Sequence, residues 1–160
     1  MRLLLKQRLF SWWDSFDIYN DEGQTVYTVH GQPSWGHRLE IRLPSGEPVG
    51  LVQQRFAFLR PRFDLYRKGE LWGTAVRELT LFRPVFSLSP QGWQVEGQFL
   101  EWDYTLWDAD HRRCIAVVTK ELWRMTDTYV LDIPDPREAL PVLMLALVID
   151  AEKCSRNSVT

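Results

Sequence analysis

The sequence is poor in the residues from which many catalytic and metal sites are built. Its 160 residues hold two cysteines, Cys114 and Cys154, and three histidines, His30, His37 and His111. Two cysteines at this separation make no disulfide framework and no metal-ligand spacing, so two reduced thiols are expected. There is no H-x-x-x-H, no C-x-x-C, no G-x-S-x-G and no glycine-rich phosphate loop. The expectation is a protein without metal or cofactor and without a catalytic motif. Long apolar runs are also missing. No stretch reaches the ~18–20 apolar residues of a membrane span, and the three leucines of MRLLLKQRLF are too few for a signal-peptide core. A cytoplasmic location follows as an expectation. The formal net charge is −2, so no global field attracts nucleic acid or anionic lipid.

What the chain does have is tryptophan, eight residues of it: Trp12, Trp13, Trp35, Trp72, Trp93, Trp102, Trp107 and Trp123. Large amphipathic rings suit sheet surfaces and the walls of enclosed spaces. The chain also repeats. An apolar–x–apolar step recurs at Phe16/Ile18, Leu39/Ile41, Phe63/Leu65, Phe86/Leu88, Tyr104/Leu106 and Tyr129/Leu131, with the first residues 23, 24, 23, 18 and 25 apart. Five of these steps run into turn chemistry: NDEG (20–23), PSG (44–46), RKG (67–69), SPQG (89–92) and DADHR (108–112). β-rich returns follow at 25–29, 48–52, 71–76, 93–97 and 114–119. LRPRFDL (59–65) echoes FRPVFSL (82–88), with proline marking where a strand begins.

Adding a first strand over 3–10 and a last over 128–133 to five hairpins predicts twelve antiparallel strands. Strict alternation within them predicts one dry face and one wet face. His37 falls on the dry side together with Leu39, Ile41 and Leu43.

The segment that decides the architecture is ALPVLMLALVI, residues 139–149, which has neither a charge nor a hydrogen-bonding side chain. Before it, DPRE (135–138) supplies Asp135 as a cap, Pro136 at the first helical position and Glu138 three residues on, the pattern of a capping box. A helix over about 136–152 is predicted, with Asp150, Glu152 and Lys153 at its polar end. Pro141 would delete a hydrogen bond inside it, which predicts a kink or a separate first turn. A helix apolar on all sides must be surrounded, and an open sheet covers only one side. A closed barrel of about eleven strands already accommodates a helix. The expected fold is therefore mainly β, a twelve-stranded closed antiparallel barrel around a central hydrophobic C-terminal helix. A single domain over 1–154 with a flexible tail over 155–160 is expected. The alternatives are a β-sandwich with the helix docked in an oligomer interface, and a short membrane-inserting hairpin or tail.

Several stretches, in this order, resemble the LURP-one-related family, including its bacterial YxjI-like members. They are LLLKQRLFSWWDSFDIYNDEGQTVYTVHG (3–31), RLEIRLPSGEPVGLVQQ (38–54), GWQVEGQFLEWDYTLWD (92–108), IAVVTKELWRMTDTYVLDI (115–133) and the apolar segment. The resemblance covers about residues 3–153. It implies a twelve-stranded barrel around a hydrophobic C-terminal helix, the architecture of tubby C-terminal domains and the one proposed for phospholipid scramblases. It implies no catalytic residues. Tubby domains bind phosphoinositide headgroups through basic side chains, but no motif here maps onto those residues.

Among polar residues, Asp14, Asp17, Asp21, Glu22, Glu101, Asp103, Asp108 and Asp110 read as turn formers and solvated faces, and Asp127 as a turn anchor. The segment QQRFAFLRPRFDLYRKG (53–69) stands apart. It carries Arg55, Arg60, Arg62, Arg67 and Lys68 against Asp64, a local charge of +4, interleaved with Phe56, Phe58, Phe63 and Tyr66. Such a patch can hold anionic phospholipid headgroups. Stacking on single-stranded nucleic acid is the weaker reading, and a solvated face is the plain alternative. The function expected is a non-enzymatic binding or scaffold protein that meets an anionic phospholipid or a protein partner at the membrane surface. The competing readings are a small-molecule binder or enzyme with a pocket at the barrel mouth, and an oligomeric interaction module with exposed tryptophans as contacts.

Overall fold

The computed structural model describes residues 1–6, 15–56, 60–78, 85–98, 101–123 and 126–157. Twelve strands form one closed antiparallel barrel: β1 (Arg2–Lys6), β2 (Ser15–Tyr19), β3 (Thr25–Gly31), β4 (Arg38–Arg42), β5 (Pro48–Arg55), β6 (Arg62–Arg67), β7 (Glu70–Glu78), β8 (Val85–Ser89), β9 (Trp93–Gln98), β10 (Asp103–Trp107), β11 (Cys114–Trp123) and β12 (Thr126–Asp132). Each strand pairs with its neighbour in sequence. Closure comes from β1, which pairs with β2 on one side and with β12 on the other, Leu3 opposite Leu131 and Leu5 opposite Tyr129. Mutual bonds between Met1 and Ile133 extend that seam. The strand expected over 3–10 ends, as described, at Lys6; residues 7–10 lie outside the described residues.

The predicted alternation is realised. Ile18, Ile41, Phe63, Leu65, Phe86, Leu88, Leu106 and Leu131 are all essentially inaccessible to solvent. They face α1 (Ala139–Asn157), which fills the lumen. Every residue from Val142 to Ile149 is at most 2% exposed, so burial is complete around the whole circumference of the helix. At Gly50 of β5 the helix packs close against the wall. A Cβ there would lie 3.1 Å from Leu140 Cδ1 and 3.4 Å from Met144 Sδ.

Pro141 is accommodated as a separate first turn. Pro136–Glu138 form a 3-10 turn, and α1 starts at Ala139. Proline then sits in the first turn of the α-helix, where its missing N–H has no intrahelical partner to lose. Two expectations need correction here. The capping box is not reciprocal: Asp135 accepts the Arg137 N–H at 3.0 Å, but the Glu138 carboxylate turns away to Arg113 at 2.9 and 3.0 Å. The helix also does not stop near residue 152. It runs to Asn157, three residues into the stretch expected as a tail, because the barrel wall supplies partners for its polar end. Residues 158–160 lie outside the described residues.

The tight turns that follow β2, β4, β6, β8 and β10 gather at the barrel end where α1 begins. The connection between β3 and β4, residues 32–37, lies at the opposite end, where α1 finishes beside His37. Chain closure is sensitive at Gly97, which has φ +122° and pairs with Tyr104. A Cβ there would lie 2.7 Å from Asp103 O and 2.9 Å from Tyr104 Cα, both backbone atoms that cannot swing aside. Gly97→Ala is expected to destabilise the barrel by roughly 2–5 kcal/mol, from positive-φ strain plus overpacking. Gly46→Ala, at φ +90° with open space around it, should lose only the strain, about 1 kcal/mol. Urea denaturation midpoints of the two variants check the contrast, and equal midpoints would contradict it.

Candidate functional site

The outer wall of β4–β6 carries an organised charged cluster. Phe63 and Leu65 point inward, so Asp64 points outward, flanked in register by Gln53 of β5 and Thr74 of β7. Asp64 is 6% exposed, and its carboxylate accepts bonds from Arg55 Nε, Arg62 Nε and Thr74 Oγ1, each at 3.1 Å. Burial opposes the charge on Asp64, but the bonds from Arg55, Arg62 and Thr74 outweigh it and hold the carboxyl below its ordinary range. Arg55 also donates to the Tyr66 hydroxyl at 3.1 Å. The two guanidinium groups stay about half exposed while anchored at one edge. Arg38, on β4, donates to Gln32 and Gln53 at 2.8 and 2.9 Å, both neutral partners, so these bonds orient it without neutralising it. Arg60 is exposed just before Pro61.

The five basic residues singled out from sequence therefore separate. Arg55, Arg60 and Arg62 lie toward the end where α1 finishes. Arg67 and Lys68 lie at the opposite end, in the β6–β7 turn, about 20 Å away along β6. One headgroup cannot touch both groups. Arg38 was not singled out. Its signal, an outward arginine between inward His37 and Leu39, becomes informative only once β4 is known to lie beside β5.

A second polar cluster fills the mouth where α1 ends. Arg77 donates to Glu152 at 2.8 Å, with both side chains largely buried. His37 Nε2 lies 3.1 Å from Ser155 Oγ, which itself donates to Ala151 O at 3.0 Å. Burial lowers the His37 pKa, and Glu152 partly opposes this. Burial pushes Asp150 up to about 6, against the attraction of Lys153. It also raises Tyr104, whose hydroxyl faces the Asp150 charge and has no hydrogen-bond partner. Trp102 stacks on Tyr129 at 3.9 Å, and its Nε1 is likewise unpartnered.

Elsewhere the polar side chains do structural work. Asp108 accepts the Arg112 and Arg113 N–H groups of its turn at 2.9 and 3.2 Å, Asp17 accepts from Thr28, and His111 stacks on Trp107. Asp14 and the side chain of Asp127 lie outside the described residues. Burial raises both thiols, Cys154 to about 11, so neither is an activated nucleophile. Among the described residues no group of three or more His, Cys, Asp and Glu could hold a metal ion, and no helix is long and apolar enough to cross a membrane.

The chain is thus a closed antiparallel barrel wound around its own C-terminal helix, with a charged outer wall and a polar mouth. Residues 1–150 match the family described as LURP-one-related, and the chain belongs to that family. It is 27% identical over 151 residues to the uncharacterized protein YxjI of Bacillus subtilis (strain 168), covering 94% of this chain and 92% of that one. The X-ray structure of an Arabidopsis thaliana protein superposes with a TM-score of 0.62 at 16% identity, over 93% of this chain and 91% of the other, a likeness of fold.

Proposed function

We propose that this protein is a non-catalytic binding module that recognises anionic phospholipid headgroups at a membrane surface through the outer wall of β4–β6. The observation that carries the reading is the Asp64 anchor. One buried carboxylate holds Arg55 and Arg62 in defined orientations, half exposed, with Arg38 adding a cation to the same wall and Arg60 exposed two residues before Arg62. Two guanidinium groups on this one carboxylate, with Arg38 held on the adjoining Gln53 and Arg60 exposed ahead of β6, make a local positive field on a weakly acidic protein. Planar guanidinium donors suit phosphate oxygens. The raised thiols and the pairing of Glu152 with Arg77 favour binding over catalysis.

Co-sedimentation with phosphatidylcholine vesicles, with and without phosphatidylserine, tests this at low and physiological salt. Binding is expected only with the anionic lipid, weakening as salt rises. Arg38→Gln with Arg60→Gln should weaken it roughly 30-fold, at ~1 kcal/mol per cation, and leave the fold intact, since both side chains lie on the outer surface. Wild-type protein that stays in the supernatant with anionic vesicles at low salt overturns the reading.

A further inference from the structure

Among the described residues, two aromatic side chains are strongly exposed. Trp35 is 90% exposed and Phe56 is 74% exposed. They come from different connections, residues 32–37 and the end of β5, yet they share one rim. The two segments are tied by one backbone and one side-chain bond: the Gln54 N–H donates to His37 O at 2.7 Å, and the His37 N–H donates to the Gln54 side-chain Oε1 at 3.0 Å. Gly36, between Trp35 and His37, has φ +91° and lets the Phe56 ring approach, for a Cβ there would lie 3.3 Å from Phe56 Cε2. The two rings are thus presented by a hydrogen-bonded platform.

Exposing a tryptophan and a phenylalanine to water is unfavourable, and both have buried counterparts in the same chain, such as Trp102 and Phe63. The residue preceding Phe56 is Arg55, which pairs with Arg62 at the start of β6, and Arg60 is exposed just before that strand. Apolar rings at a tip, with Arg55 and Arg62 one residue step behind Phe56, match the layering of an anionic bilayer, where aromatic rings lodge at the headgroup level and cations meet phosphate. A protein partner large enough for a stable interface would need a broad apolar centre depleted of charge. The remaining exposed large apolar residues among those described are Met1, beside Ile133, and Leu71 and Val117 of β7 and β11, none of them on this rim.

We infer that Trp35 and Phe56 form an insertion edge that enters the interfacial layer of an anionic membrane, so that the barrel docks by the end at which its helix finishes. The inference rests on the headgroup reading above and adds to it an orientation and a salt-resistant apolar component. Arg55, Arg60 and Arg62 then lie at phosphate depth, while Arg67 and Lys68 face away from the bilayer.

The test compares wild-type protein, the double variant Trp35→Ala with Phe56→Ala, Trp35→Phe, and Leu71→Ala as an exposed control at the opposite end. Each is titrated with phosphatidylcholine–phosphatidylserine vesicles, with and without acyl-chain-brominated lipid as a fluorescence quencher. Near-UV circular dichroism and thermal unfolding confirm that each variant is folded. The double variant is expected to lose about tenfold or more in vesicle affinity with an unchanged salt dependence, and Leu71→Ala to lose nothing. Brominated lipid should quench a component of wild-type emission that is absent in Trp35→Phe. If the double variant binds as wild type does, insertion is overturned while headgroup recognition stands. If wild-type protein does not bind anionic vesicles at all, both fall. If the double variant instead abolishes a self-association that wild-type protein shows without lipid, the edge is a contact between copies and the inference is overturned.

Discussion

Leu143→Asp is expected to abolish folding, while Leu71→Asp should change stability by less than about 0.5 kcal/mol. Leu143 is fully inaccessible and lies mid-lumen, with barrel wall around it on every side. Losing its side chain alone costs roughly 2–5 kcal/mol. An unpaired carboxylate in that position adds several more, or takes up a proton at a similar penalty. The total reaches the whole net stability of a typical domain, ~5–15 kcal/mol. Leu71 is 54% exposed at the start of β7. Urea unfolding followed by near-UV circular dichroism reads both variants. A cooperative transition in Leu143→Asp near the wild-type midpoint would mean that the helix is not enclosed.

Asp150→Asn should stabilise the protein by roughly 2–3 kcal/mol at pH 7–8 and by almost nothing at pH 4. The Asp150 carboxyl sits in the helix-filled mouth with its pKa pushed up to about 6 by burial, partly offset by Lys153. In the unfolded chain an aspartate titrates near 3.9. A folded pKa above the unfolded one means that the folded state prefers the protonated form. Its contribution is fully present below about pH 4 and is lost as pH rises through 6, at ~1.4 kcal/mol per unit of separation. The unpartnered Tyr104 hydroxyl facing Asp150 is consistent with a site that does not welcome a second charge. His37 works with the opposite sign. Its lowered pKa favours the neutral ring, so its contribution is lost as pH falls. The difference between variant and wild type therefore isolates Asp150, whereas the wild-type profile alone mixes the two. Thermal unfolding from pH 4 to 8 provides the measurement. A variant parallel to wild type across that range would show that Asp150 is solvated.

Particular residues show how much of the fold is legible along the chain. The Phe63–x–Leu65 step and its five counterparts reveal the strands, because side chains that alternate with a period of two belong to an extended backbone with one buried face. Pro141 is legible as a disturbance, and the separate 3-10 turn at Pro136–Glu138 is how it is absorbed. The end of the helix is misleading. Asp150, Glu152 and Lys153 resemble a solvated terminus, but Arg77 receives Glu152 and His37 meets Ser155, so the helix continues. No local pattern announces a partner 75 positions away.

The charged wall is legible in part. The run from Arg55 to Lys68 stands out by composition, yet a strand of six residues divides it between two ends of the barrel. Asp64 looks like a dilution of the positive charge and is its anchor. Trp35 carries no signal of exposure, because tryptophan in a globular chain is usually covered.

From sequence alone came the number of strands, which side of each is dry, and the need to enclose residues 139–149. Local periodicity and an all-round apolar segment restrict the chain to very few environments. Which outward side chains meet, which cations stay uncompensated and which two rings share a rim were decided by the closed barrel, because cross-strand register joins residues that no spacing along the chain relates.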